Sequence, residues 1–222
     1  MAEATPPQSA EATVQSMLAS MFASEPQLGS DGQMHEIDKF TRIAPQQGEL
    51  LCLIHRTLKP KHSLEIGCGY GFSTVYFMRA MLELTNSRHT IIDPHQISYY
   101  AGMGLEKVKA LGMSDRVTFI EQESCIALGK LALEGYKAEM IFIDGRHHVD
   151  NVMVDFFMSD KICPLNGALV FDDMWMPSVQ KVVRMVGENR KDYLRVDSPV
   201  PNAAIFRKIA EDDRIWNDYH DF

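Results

Sequence analysis

Three aspartates and two histidines are the residues of this 222-residue chain whose grouping invites chemistry. Asp144 ends the apolar run Met140-Ile141-Phe142-Ile143, and Asp172-Asp173 end the run Ala168-Leu169-Val170-Phe171. In an α/β protein such runs are strands buried on both faces, and the ends of neighbouring strands lie side by side. Each aspartate alone is explained by loop capping, since Asp is a favoured N-cap and turn residue. Together they are harder to explain. Two carboxylates about 4 Å apart repel by roughly 4 kcal/mol at an effective dielectric near 20, so the trio calls for a cation or a shared proton. All-oxygen ligation with room for water suits Mg²⁺ or a similar divalent ion. His147 and His148 lie three and four residues after Asp144 in the same loop. A loop histidine is ordinarily a solvated side chain. Beside a cation that lowers the pKa of a bound hydroxyl, however, an imidazole can remove that proton at neutral pH.

A second constellation is the glycine-rich segment Gly67-Cys68-Gly69-Tyr70-Gly71, which follows the run Ser63-Leu64-Glu65-Ile66. Glycines there permit a tight turn and close approach of a ligand to the backbone, and the helix that follows offers free N–H groups to an anion. By itself this is a weak signal. Asp93 strengthens it, because it ends the next predicted strand, His89-Thr90-Ile91-Ile92-Asp93, about where a carboxylate takes the two hydroxyls of a ribose. A turn residue before Pro94 would account for its type but not its placement.

With these residues in view, the segment from Ser63 to Gly71, with an acidic residue two places before the first glycine, resembles motif I of class I S-adenosylmethionine-dependent methyltransferases. A nicotinamide-binding turn would have glycine at 72, where this chain has Phe. Ile143-Asp144-Gly145-Arg146-His147 and Val170-Phe171-Asp172-Asp173 further resemble the small O-methyltransferases that act on catechols and on macrolide sugars. The likeness covers roughly residues 41 to 208. It implies that Gly67, Gly69 and Gly71 line the methionine part of S-adenosylmethionine, that Glu65 helps hold its amino group through the turn, and that Asp93 binds its ribose. It also places Glu123 and Ser124 at the adenine, although the family shows Gly-Asp-Ser where this chain has Gln122-Glu123-Ser124. The segment from Thr41 to Gln47 sits where the family packs over the donor's methionine end, with helix capping as the alternative. Asp144, Asp172 and Asp173 match the family's metal ligands, the last of which can be Asn. His147 matches the base of the sugar enzymes, at the offset where catechol enzymes carry a lysine. The function implied is methyl transfer to a hydroxyl of a small-molecule acceptor. Two alternatives stay open: metal-independent transfer to nitrogen or a carboxylate on the same fold, and a non-catalytic protein that retains the donor.

The elements that must position these residues follow from periodicity. Short apolar runs alternating with helical patterns predict an α/β fold: a Rossmann-like, doubly wound sheet of seven strands, mostly parallel, with a C-terminal antiparallel hairpin and helices on both faces. The predicted strands are 63–66, 89–93, 117–120, 140–143, 168–171, about 193–196 and 203–206. Helices are expected over about 51–58, 73–84, 125–134, 149–160 and 179–186, and one with Ile97, Ala101, Leu105 and Val108 on a single face. No internal repeat is present. Residues 1–30, rich in Ala, Ser, Glu, Gln and Pro, read as a flexible or partner-dependent arm in which Met17, Leu18, Met21 and Phe22 could form a short helix, and 31–222 as a single domain. Tyr99, Tyr100, Met103, Met174, Trp175 and Met176 fall near the predicted site, and Trp216, Tyr219 and His220 could fold over it from the tail; ordinary core packing is the competing account of most of them.

The composition excludes other classes. A formal net charge of -8, with no basic run, argues against nucleic acid and anionic membranes as partners. Cys52, Cys68, Cys125 and Cys163 make no CxxC or zinc spacing and read as reduced thiols of a cytoplasmic protein. Neither a membrane span nor a signal sequence is legible. A homodimer is left open, as is the acceptor's identity.

Overall fold

The computed structural model describes residues 8–222. In chain order they form α1 (Gln8–Phe22), a small hairpin of β1 (Gln27–Leu28) and β2 (Met34–His35), α2 (Pro45–Leu58), β3 (His62–Ile66), α3 (Phe72–Met81), β4 (Arg88–Ile92) and α4 (Met103–Ala110). There follow β5 (Val117–Ile120), α5 (Ser124–Leu133), β6 (Met140–Ile143), α6 (Val149–Ile162), β7 (Ala168–Phe171), α7 (Pro177–Asn189), β8 (Tyr193–Val196) and β9 (Ala204–Lys208). The main sheet has the order β5-β4-β3-β6-β7-β9-β8. It is parallel from β5 to β7, and β9 runs antiparallel to both β7 and β8. This is the expected seven-stranded Rossmann-like architecture, with strand order reversing between β3 and β6.

Strand periodicity divides the core. Met140 and Phe142 of β6 join the apolar layer built with α1 to α4, while Ile141 and Ile143 join the layer built with α5 to α7. Successive strand side chains point to opposite faces, so an uninterrupted apolar run is what a strand covered on both sides requires.

Two expectations are corrected. Residues 1–7 of the predicted arm lie outside the described residues, but from Gln8 onward the arm is a helix seated on the domain. Val14 and Met21 are fully buried and Leu18 nearly so, the Phe22 ring lies 5.0 Å from that of Phe72, and Glu11 pairs with Arg79 at 2.7 Å. Four apolar positions on one face were enough to dock a segment whose average composition is polar. The helix anticipated from Ile97 begins only at Met103, because Ala101 (φ 50) and Gly102 (φ 69) adopt left-handed backbone that a helix cannot run through. Ile97 is consequently exposed.

Candidate active site

The carboxyl ends of β3, β4, β6 and β7 open into a cavity of about 980 Å³ at the point where strand order reverses, the place where doubly wound sheets bind ligands. Gly67 and Gly71 both have φ 89 and Gly69 has φ 53. A side chain at Gly67 would place Cβ 2.0 Å from the Asp144 carbonyl oxygen, so the turn after β3 is locked against the end of β6 only because that position is bare.

The donor-side residues divide into those that face the cavity and those that brace it. Asp93 lines it. Its Oδ2 accepts hydrogen bonds from the backbone N–H of Cys68 (3.0 Å) and Gly69 (2.9 Å), and its Oδ1 from that of His95 (2.8 Å). Glu65 is fully buried beneath the turn, where it accepts bonds from the hydroxyls of Ser73 (2.6 Å) and Thr74 (2.5 Å). Its influence on a ligand therefore passes through the turn and the start of α3. Glu123 and Ser124 line the far end of the cavity, and Ser124 Oγ donates to the buried Asp155 at 2.5 Å. Burial pushes the Asp155 carboxyl up to about 6.

At the other end Asp144, Asp172, Asp173 and His147 all line the cavity. His147 Nε2 lies 3.3 Å from Asp144 Oδ1 and 2.9 Å from Asp173 Oδ2. Hydrogen bonding to these two carboxylates raises its pKa to about 10 against the opposing effect of burial. Burial pushes Asp144 up to about 6, with the Asp173 charge adding to the shift, and pushes Asp172 up to about 9, with the Asp144 charge adding. Asp173 is also buried, yet the hydrogen bonds from His147 and Trp175 hold it below the usual carboxylate range. Asp144, His147 and Asp173 present ligating atoms that all lie within 4.8 Å of one another. Asp172 turns aside from this set: its Oδ1 accepts from Gln47 Nε2 and, at 3.4 Å, from Asn202 Nδ2. His148, the N-cap of α6, is exposed and stands outside the cavity lining.

Segment Thr41–Gln47 both borders the cavity and caps a helix. Thr41 to Pro45 line the cavity, and Gln47 caps α2 by accepting from the Ala44 N–H at 2.7 Å while its amide reaches Asp172. Tyr100, Trp175 and Met176 line the cavity. Met103 is core, and Tyr99 and Met174 do not reach the lining. The tail does not close over the site: His220 N–H donates to Asn189 at the end of α7, and Trp216 is 96% exposed. Sequence reasoning missed Asn202, which offers only the signal of a turn residue after Pro201, and Phe22, whose side chain reaches the cavity from α1.

The model of a methyltransferase domain matches residues 64–174, which hold the glycine turn, Asp93 and the acid cluster. The chain belongs to the methyltransferase-domain family. It is a class I S-adenosylmethionine-dependent methyltransferase. Among relatives, a caffeoyl-CoA O-methyltransferase of Stellaria longipes is 27% identical over 96 residues, 43% of this chain and 38% of the relative. Tapetum-specific methyltransferase 1 of Arabidopsis thaliana is 28% identical over 146 residues, 63% of this chain and 59% of the relative. The methyltransferase thus spans less than two thirds of the length of these two relatives. An O-methyltransferase from Bacillus cereus in complex with SAH superimposes with a TM-score of 0.64 over 92% of each chain at 18% identity, a likeness of fold. Among the described residues no helix is long and apolar enough to cross a membrane.

Proposed function

We propose that this methyltransferase moves the methyl group of S-adenosylmethionine to a hydroxyl oxygen of a small-molecule acceptor, with a divalent cation, Mg²⁺ by its ligand chemistry, held among Asp144, Asp172 and Asp173. The observation that carries this reading is the crowding of three carboxylates at the cavity floor, two of them with raised pKa values and the nearest positive partner being His147. Hard oxygen donors of this kind fit Mg²⁺. Two of the three, Asp144 and Asp173, present oxygens within 4.8 Å of each other; Asp172 would have to share its carboxylate between the cation and the amide of Gln47. A cation bound there supplies Lewis acidity that lowers the pKa of an acceptor hydroxyl.

The chain's own residues supply the remainder. Asp93 and the glycine turn hold the donor, and Ser124 meets its adenine. His147 Nε2 takes the hydroxyl proton, for which the imidazole must be neutral. Its two carboxylate partners raise its pKa, so it becomes a base when their charge is engaged elsewhere. The resulting oxygen nucleophile attacks the sulfonium methyl, the S–CH₃ bond breaks with its electron pair left on sulfur to give S-adenosylhomocysteine, and alignment of the two ligands in one cavity contributes most of the acceleration.

A second reading has its own observation. His147, when protonated, itself bridges Asp144 and Asp173, which would satisfy the acids without a metal and leave methyl transfer metal-independent. Turnover of a panel of catechols and vicinal diols in EDTA, followed by Mg²⁺ addition, separates the two. Activity abolished by EDTA and restored by Mg²⁺ supports the cation; full activity in EDTA overturns it.

A further inference from the structure

Asp155 occupies a place on α6 where periodicity calls for an apolar side chain. The buried face of that helix carries Val152, Phe156 and Ile162, with Asp155 and Asp160 among them. An acid on such a face is costly unless something compensates it. Asp160 is compensated by cations, Arg190 at 2.9 Å and Lys208 at 3.1 Å. Asp155, only 2% exposed, has no ion pair among the described residues. Its carboxylate reaches the wall of the donor cavity instead: Oδ1 accepts the hydroxyl of Ser124, the first residue of α5, at 2.5 Å. The loop leaving β6 makes room for it, since a Cβ at Gly145 would stand 3.3 Å from Asp155 Oδ2. Ser124 and Gly145 both line the cavity, and Asp155 stands behind them.

A hydroxyl has one proton and two lone pairs, whereas a carboxylate only accepts. The Asp155 carboxyl, pushed up to about 6 by burial, is ionised at pH 7.5, so the Ser124 proton is committed to it. What Ser124 Oγ has left for a ligand is acceptor capacity. On the edge of adenine the 6-amino group donates and N7 accepts, so the amino group is the part that such an oxygen can hold.

We propose that Asp155 is a positioning residue for donor selection: by taking the Ser124 proton it leaves an acceptor for the donor's base, so the site admits a 6-aminopurine and rejects a 6-oxopurine. This role rests on the proposed contact between Ser124 and the adenine. A 6-oxo group brings its own lone pairs against those of Ser124, and Ser124 cannot turn to donate without leaving Asp155 buried and unbonded.

Calorimetric titration of the full chain at pH 7.5 with S-adenosylhomocysteine and with its deaminated analogue, S-inosylhomocysteine, tests the proposal. The wild type is expected to bind the adenosyl ligand roughly 10- to 100-fold more tightly. Asp155→Leu, close in size and with no charge to bury, is expected to shrink that ratio roughly 10-fold, because the freed hydroxyl can donate to the oxo group. Asp155→Asn, whose carbonyl oxygen can still accept, is expected to keep most of the preference. A carboxylate that only steadied the N-terminus of α5 would, on removal, weaken both ligands equally. An unchanged ratio in Asp155→Leu therefore overturns the proposal, as does equal affinity of the wild type for the two ligands. Ser124→Ala separates this role from the contact beneath it, and is expected to narrow the ratio as Asp155→Leu does. A ratio unchanged in Ser124→Ala removes the adenine contact and the role of Asp155 with it. A ratio narrowed in Ser124→Ala but unchanged in Asp155→Leu overturns the role of Asp155 alone. The wild type also gives a mutation-free readout, through the analogue with hydrogen in place of the 6-amino group. That ligand is expected to bind more tightly than S-inosylhomocysteine; the reverse order would mean that Ser124 donates, and would overturn the proposal.

Discussion

His147 and Asp173 meet at 2.9 Å across the mouths of two different loops, one leaving β6 and the other leaving β7. Asp173 holds the left-handed conformation (φ 55) that brings its carboxylate there, and Trp175 Nε1 donates to its other oxygen at 2.8 Å. The contact is a product of tertiary structure, since its two members leave the ends of different strands.

Replacing His147 tests its proposed role as the base. His147→Ala is expected to lose on the order of 10²- to 10⁴-fold in turnover, the usual worth of a general base, while keeping donor affinity. The deficit is expected to narrow as pH rises and hydroxide substitutes. A His147→Ala enzyme as active as wild type, compared with an inactive His148→Ala, would move the role by one residue.

Cation binding is expected to displace protons. His147 is held protonated by Asp144 and Asp173, with a pKa near 10, and Asp172 is held protonated by burial, with a pKa near 9. Mg²⁺ titrations at pH 7.5 in buffers of different ionisation enthalpy are expected to show proton release. The amount released is expected to fall in His147→Ala and in Asp172→Asn. Binding with no proton exchange would contradict the protonation states described here.

The proposed ribose contact of Asp93, which lines the cavity, is tested by substitution. Asp93→Ala is expected to weaken S-adenosylhomocysteine binding by roughly 10²- to 10⁴-fold, since a carboxylate that takes two hydroxyls makes charge-assisted bonds worth about 1.5–3 kcal/mol each. Asp93→Asn, whose carbonyl can still accept from Cys68 and Gly69 N–H, is expected to retain the turn and lose less. Calorimetry with the product as ligand decides it, and wild-type affinity in Asp93→Ala would remove the ribose assignment.

Helix α1 is expected to matter for stability. Leu18→Ala leaves a cavity between α1 and the domain and is expected to cost about 2 kcal/mol or more, read as a lower urea midpoint. Removal of residues 1–22 is expected to lower the melting temperature and to weaken ligand binding, because Phe22 lines the cavity. An unchanged midpoint in both would return the segment to the status of a loose arm.

Acid lability is expected to trace in part to His55. This side chain is fully buried in α2 against Phe77, and burial depresses its pKa to about 3. Its unfolded value is near 6.5, so the unfolded chain binds the extra proton between those limits. The contribution to stability is therefore complete above pH 6.5 and is lost as pH falls, by roughly 3 kcal/mol at pH 4. His55→Phe is expected to flatten the pH dependence of the urea midpoint between pH 6.5 and 4; an identical slope in the variant would assign the acid loss to other groups.

The strands and the acid cluster were legible in the sequence for one physical reason. A strand buried on both faces must be apolar throughout and must end where polar groups begin, so Met140–Ile143 before Asp144 and Ala168–Phe171 before Asp172 mark both the element and its functional end. The glycine turn was legible because its three positive φ angles admit little else. What lay outside reach was whatever depends on distant partners. Whether α1 docks is decided by the surface that Phe72 and Arg79 present to it, 50 or more positions along the chain. Glu65 and Asp172 could be chosen as site residues from their places at strand ends, but only packing decided that one would brace the turn through Ser73 and Thr74 and that the other would meet Gln47 and Asn202. Periodicity fixes which face a residue is on; the partner it finds there is set by how elements far apart in the chain close over it.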